Sequence, residues 1–151
     1  MKSVKLGLIL MLFCVIAAGG LAYVYRLTEP IIVQNHKLIL AAAIKEVLPS
    51  EGSGEAIATN VRGYSSQIKL LVGIDLLGKV SGVKIIEQQE TPGLGVNITR
   101  QEFLRQFVGK NVNDQLEPKK DIDAITGATI STGAVCQGVK DALARFKSGH
   151  N

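Results

Sequence analysis

The sequence predicts an α+β protein: a twisted antiparallel sheet with helices packed on it, joined to one N-terminal transmembrane helix. Three stretches carry that expectation. Residues Leu6 to Tyr25 form 20 positions without a charge. Ile68–Ile74 and Lys79–Ile86 are apolar runs separated by turn residues, as in a β-hairpin. Behind Thr129, residues Val135, Val139, Leu143 and Phe146 recur at the spacing of one helix face. A chain of 151 residues has room for one such domain besides the anchor.

The anchor comes first. At helical rise its 20 uncharged residues span roughly 30 Å, the thickness of a bilayer hydrocarbon core. Lys2 and Lys5 precede it, and Tyr23 and Tyr25 stand near the far end, where an aromatic belt lies. The basic start places the amino terminus in the cytoplasm and the bulk of the chain outside it. A cleavable signal peptide is the competing reading, given the small residues Ala17, Ala18, Gly19, Gly20 and Ala22. Either reading exports the domain. Phe13 stands before Cys14 where a lipoprotein needs a small residue, so that alternative is weak.

Thr28-Glu29-Pro30 reads as the start of a second helix, with a capping hydroxyl, an acid in the first turn and proline at an early position. That helix would run to about Leu48 and stop at Pro49. The expected organisation is an anchor over 1–26, a linking helix over 27–49 and a domain over 50–151. Ser50 to Gly54 is a Gly/Ser loop, and the pattern turns strand-like from Ala56. Gly82 is the candidate bulge, since alternation breaks between Val80 and Val83. Thr99-Arg100-Gln101-Glu102 is a capping box, opening a helix that carries Phe103 and Phe107 into the core and ends near Gly109. Residues 110–122 form a polar loop.

Charge and cysteine usage exclude several classes. The net charge is +4, yet setting aside Lys2, Lys5 and Arg26 beside the anchor leaves 14 basic residues against 13 acidic ones. The domain is near neutral, without a basic tract, and nucleic-acid binding has no support. Cys14 lies in the apolar run and Cys136 stands alone, so no intrachain disulfide is expected. His36 and His150 are isolated in sequence, giving no metal-ligand spacing and no base for a hydrolase using Thr129.

Two stretches carry the chemistry. Asp123-Ala124-Ile125-Thr126-Gly127-Ala128-Thr129 is a small-residue turn at the start of the last helix, which Ser131 or Thr132 can cap. A hydroxyl there meets unpaired N–H groups and a positive dipole end, a place suited to a phosphate. Taken alone, the heptapeptide is equally an ordinary turn. Nearer the amino terminus, Glu90-Thr91-Pro92-Gly93-Leu94-Gly95 is a turn whose two glycines permit close backbone approach.

Both stretches resemble a known family. Asp-x-x-(Ser/Thr)-Gly-Ala-(Thr/Ser) is the acceptor signature of proteins carrying FMN on a phosphoester, and Glu-Thr-Pro-Gly-Leu-Gly precedes it in the same order. With the anchor, they resemble the G subunit of the Rnf electron-transport complex and, more distantly, the C subunit of the sodium-translocating NADH:quinone reductase. The chain is shorter than is usual for either family.

The resemblance implies an electron carrier in a ferredoxin:NAD⁺ oxidoreductase complex that moves ions across the membrane. Its FMN would be attached to Thr129 by a flavin transferase, and the remaining subunits of the complex would be its partners. Asp123 and Thr126 would belong to the motif the transferase reads, while Gly127 and Ala128 leave the approach open. Glu90, Thr91, Gly93 and Leu94 would form a wall near the isoalloxazine. Many relatives have a histidine two residues before the glutamate; Gln88 stands here, so no role of that histidine transfers. A flavin-free, membrane-anchored assembly or binding protein is the alternative.

Overall fold

The computed structural model describes residues 2–48 and 54–150, with side chains from Lys5 onward. The chain divides into two units, residues 1–39 and 40–151. Its elements are a long helix α1 (Lys2–Val47), strands β1 (Gly54–Arg62), β2 (Gln67–Asp75) and β3 (Val80–Glu87), a 3-10 helix over Gly95–Thr99, a one-turn helix α2 (Gln101–Leu104) and a terminal helix α3 (Thr129–Gly149). This is the expected α+β class.

Within residues 1–39 the helix is apolar and exposed all round. An 18-residue window within it has a mean hydropathy of 2.4 with none of its surface buried, long and apolar enough to cross a membrane. No new helix begins at Thr28-Glu29-Pro30, contrary to expectation; α1 runs through, with Pro30 inside it. Proline lacks the N–H that would bond the carbonyl four residues back. The Thr28 hydroxyl, just before it, donates back to the carbonyls of Val24 (3.0 Å) and Tyr25 (3.2 Å). α1 ends at Val47, just before the expected stop; the Ser50–Gly54 loop lies outside the described residues except for Gly54.

In the second unit the three strands form one antiparallel sheet in the order β1-β2-β3. The hairpin appears where the two apolar runs place it. β3 carries two extra residues: Ser81, next to the expected Gly82, and Ile86. Each breaks the register against β2 and twists the strand.

The sheet buries both faces. On one, Ile68, Leu70, Val72 and Ile74 of β2 meet Val135, Val139 and Leu143 of α3 together with Phe107, Ile98 and Ile122. On the other, Leu71 packs with Ala43 and Val47 from the last turns of α1. There Gly73 and Gly82 face each other across the β2–β3 ladder. A Cβ on Gly73 would stand 2.4 Å from the Val47 carbonyl oxygen, and one on Gly82 would stand 2.9 Å from Val47 Cα. The Ser81 hydroxyl donates to that same carbonyl at 2.6 Å. The bulge thus supplies a donor and two missing side chains, which lets the helix end lie against the strands.

The capping box at Thr99 does not form. Thr99 closes the 3-10 helix, its hydroxyl donating to Val96 O at 2.9 Å, while Arg100 takes the N-cap position of α2 with no side-chain cap. The preceding 3-10 turn has already used Thr99, and α2 passes after one turn into 3-10 geometry over Arg105–Phe107. Phe103 and Phe107 still reach the core, edge to face at 5.4 Å. Residues 110–122 have no helix or extended strand, yet Leu116 and Ile122 are buried and the Asp121 carboxylate accepts from the Leu116 and Glu117 N–H groups.

Candidate functional site

Segments distant in sequence meet through one carboxylate. Glu90 is 4% exposed. Its Oε1 accepts from the backbone N–H groups of Ser65 (3.0 Å) and Ser66 (3.1 Å). Its Oε2 accepts from the Tyr64 N–H (3.2 Å) and the Ser131 hydroxyl (2.6 Å). Burial pushes the carboxyl's pKa up, but the Ser131 hydroxyl and the three N–H donors outweigh it and hold the group below its ordinary value. Glu90 therefore stays ionised and ties the β1–β2 turn to the first turn of α3. A Cβ on Gly63 or Gly95 would meet Glu90 atoms at 2.5 and 2.7 Å, so both glycines make room for it.

α3 begins three residues earlier than a Ser131 cap requires, and four earlier than a Thr132 cap. Ala128 holds the N-cap position without a side-chain bond, and Thr129 is the first helical residue. Both expected caps are engaged elsewhere: Ser131 with Glu90, and Thr132 Oγ1 accepting from the Ile125 N–H at 3.3 Å. The tertiary partner wins because a buried hydroxyl needs one. Gly127 turns the chain into the helix at φ +77°, a backbone region that side chains with a Cβ avoid.

Around this junction lies a cleft of about 630 Å³, lined among others by Tyr64, Glu90, Leu94, Gly127, Thr129 and Ile130. Its size is ordinary for a cofactor site. Thr129 is exposed, and among the described residues its hydroxyl makes no hydrogen bond. The first N–H groups of the 21-residue α3 have no intrahelical acceptor and face the same end. An exposed alcohol beside free N–H donors suits a phosphate ester, and the cleft beside it has room for a ring system. The residues present fit FMN.

Of the residues singled out from sequence, Thr129, Gly127, Ala128, Glu90, Thr91 and Leu94 line the cleft. Gly93 does not line it; with φ +78° it turns the chain, and its carbonyl accepts from the Asn97 amide at 3.0 Å. Asp123 and Thr126 are exposed and outside the lining, Asp123 donating its N–H to Gln106 Oε1. Sequence reasoning missed Tyr64, Ile130 and the role of Ser131. The turn Gly63-Tyr64-Ser65-Ser66 was the available signal for Tyr64. Gln88 Oε1 accepts from the Glu90 N–H at 2.7 Å. Among the described residues no cluster of His, Cys, Asp and Glu could hold a metal ion.

Comparisons with known proteins converge on the same region. Residues 63–144 match the FMN-binding domain family, and residues 1–47 match the RnfG N-terminal region. The G subunit of an ion-translocating oxidoreductase complex from Shewanella baltica is 30% identical over 190 aligned positions, covering 96% of this chain and 90% of that protein. The chain belongs to the RnfG family. A relative from Clostridium ljungdahlii, the G subunit of a proton-translocating ferredoxin:NAD(+) oxidoreductase complex, is 41% identical over 87 residues, 54% of this chain and 47% of that protein.

Among solved structures, the C subunit of the Na(+)-translocating NADH-quinone reductase from Parabacteroides distasonis superposes with a TM-score of 0.53 at 21% identity. It shares the fold over 70% of this chain and 64% of its own. The 190 aligned positions exceed the 151 residues of this chain, so the Shewanella baltica protein carries insertions relative to it.

Proposed function

We propose that this chain is the electron-carrying member of a membrane ferredoxin:NAD⁺ oxidoreductase complex of Rnf type, holding FMN in phosphoester linkage to Thr129. One observation carries the reading. In a chain of the RnfG family, the Thr129 hydroxyl is exposed and, among the described residues, unbonded on the first turn of α3, at a cleft large enough for the cofactor. FMN held there supplies the redox chemistry. The protein supplies the rest. Thr129 Oγ is the tether, and the free N–H groups of α3 offset phosphate charge. Gly127 and Ala128 present no bulk to the incoming transferase, and Asp123 and Thr126 offer it surface side chains to recognise. Thr91 and Leu94 line the cleft opposite α3, and Gly93 sets the turn that carries Leu94 there.

A covalent tether suits a relay outside the cytoplasm, where a lost flavin has no local replacement. In this reading residues 6–25 of α1 cross the inner membrane once. Lys2 and Lys5 keep the amino terminus inside, and the domain over 50–151 faces outward. Residues 27–49 form the link, its last turns packed on the sheet. The remaining subunits of the complex supply and accept the electrons, coupled to ion transport by the complex as a whole.

The test is co-expression with an active flavin transferase, then a denaturing gel viewed for flavin fluorescence. Wild type is expected to fluoresce, Thr129→Ser to retain the signal and Thr129→Ala to lose it. A dark wild-type band beside a fluorescent control protein would favour a flavin-free assembly protein instead.

A further inference from the structure

The proposed tether fixes one end of the flavin and leaves open what holds the ring. The chain has no tryptophan, three tyrosines and four phenylalanines. Phe13, Tyr23 and Tyr25 lie in α1, Phe103 and Phe107 are buried, and Phe146 packs on the core and stacks with His150 at 4.3 Å. Tyr64 alone among the aromatics lines the Thr129 cleft. It is also 68% exposed, a large apolar ring left in solvent by the fold.

Its backbone, by contrast, is held firmly. The Tyr64 N–H and its two successors all donate to the Glu90 carboxylate, Gly63 N–H closes the turn onto Ser66 O at 2.8 Å, and the Ser65 hydroxyl meets that of Thr91 at 3.2 Å. An exposed aromatic on a braced turn, lining a cleft whose other large apolar side chains are Leu94 and Ile130, is arranged to receive a flat aromatic ligand.

We infer that Tyr64 is the aromatic contact for the isoalloxazine ring, stacking against it while Leu94 and Ile130 supply the aliphatic contacts. Glu90 is then a positioning residue: it fixes Tyr64 and, through Ser131, the turn that bears Thr129. This rests on the flavin reading above and adds the ring's partner to it.

A phenol in contact with a flavin quenches its fluorescence, which provides a test independent of electron-transfer activity. Full-length wild type, Tyr64→Leu and Tyr64→Phe would be co-expressed with a flavin transferase. Flavin emission would be measured in the native state and again after denaturation, per mole of protein. The denatured signal reports attachment; the native-to-denatured ratio reports the contact. Expected are equal denatured signals in all three proteins and a low ratio in wild type. The ratio should rise several-fold in Tyr64→Leu. Tyr64→Phe should raise it too while keeping the wild-type circular dichroism in the flavin bands, because the ring still stacks. Equal ratios in wild type and Tyr64→Leu, with attachment intact, would overturn the Tyr64 contact and leave the tether standing. No denatured signal in any protein, with the transferase active on a control, would overturn the flavin reading and this inference with it.

Discussion

Glu90 shows how a single buried charge organises the site. A carboxylate removed from water is costly unless its lone pairs are filled, and here three N–H groups and one hydroxyl fill them. Glu90→Gln replaces one acceptor oxygen by an NH₂ group that faces donors. It should lower stability at pH 7 by about 2–3 kcal/mol, on the scale of hydrogen bonds to charged groups. The sign of the pH dependence follows from the lowered folded-state pKa. The stabilisation is complete above the unfolded value of about 4.3 and is lost as pH falls through the folded value. Thermal denaturation should therefore show the gap between wild type and Glu90→Gln closing as pH is lowered from 7 toward 3. A gap that stays constant with pH would contradict an ionised Glu90.

Cys136 offers the opposite case. Burial, then the negative charge of Asp121, pushes its thiol up to about 11. Alkylation at pH 8 followed by mass spectrometry should leave Cys136 unmodified in folded protein and modify it in denaturant. Rapid labelling of the folded state would show a reactive thiol instead.

At the scale of elements, the informative contact is that of the last turns of α1 with the sheet. Gly73→Ala drives a methyl group into the Val47 carbonyl, against backbone that cannot give way cheaply. Overpacking of this kind costs about 1–3 kcal/mol, and urea denaturation should show that loss. Gly127→Ala acts on the other junction. It combines a φ of +77° with a Cβ 2.9 Å from Leu94 Cδ2. The left-handed backbone alone costs about 1–2 kcal/mol for a residue with a Cβ. Flavin loading by the transferase should fall as well, since the same turn presents Thr129.

The elements themselves were largely legible. Short apolar runs bounded by turn residues marked β2 and β3, and period-3.6 spacing marked the buried face of α3, because each pattern follows from which sides of an element meet the core. Local end signals were less dependable. Thr28-Glu29-Pro30 has every mark of a helix start and lies inside α1; Thr99 has the residues of a capping box and closes a 3-10 turn in the fold. Each motif is worth about 1 kcal/mol, which tertiary packing readily outweighs.

At the scale of the whole molecule, α1 couples an apolar segment to a near-neutral domain. The large apolar side chains of residues 6–27 are all exposed, so this segment needs a solvent other than water. Alkaline carbonate washing of membranes should leave the full chain in the pellet, since a spanning helix is held by hydrocarbon and not by charge. Release into the supernatant would place the chain on the surface.

The sequence by itself determined the apolar helix, the hairpin, the buried face of α3, the small-residue heptapeptide with Thr129 at its end, and the Glu90–Gly95 turn. Each is a local pattern, readable from spacing and residue type. Only the tertiary structure decided what these pieces do to one another. Glu90 lies 24–26 residues from its N–H donors and 41 from Ser131. A carboxylate buried among donors from distant segments leaves no periodic trace, because its partners are mostly backbone N–H groups that almost every residue possesses. Tyr64 was hidden for the same reason. Its importance comes from the cleft that its turn completes, and that cleft exists only once β1, β2 and α3 are assembled.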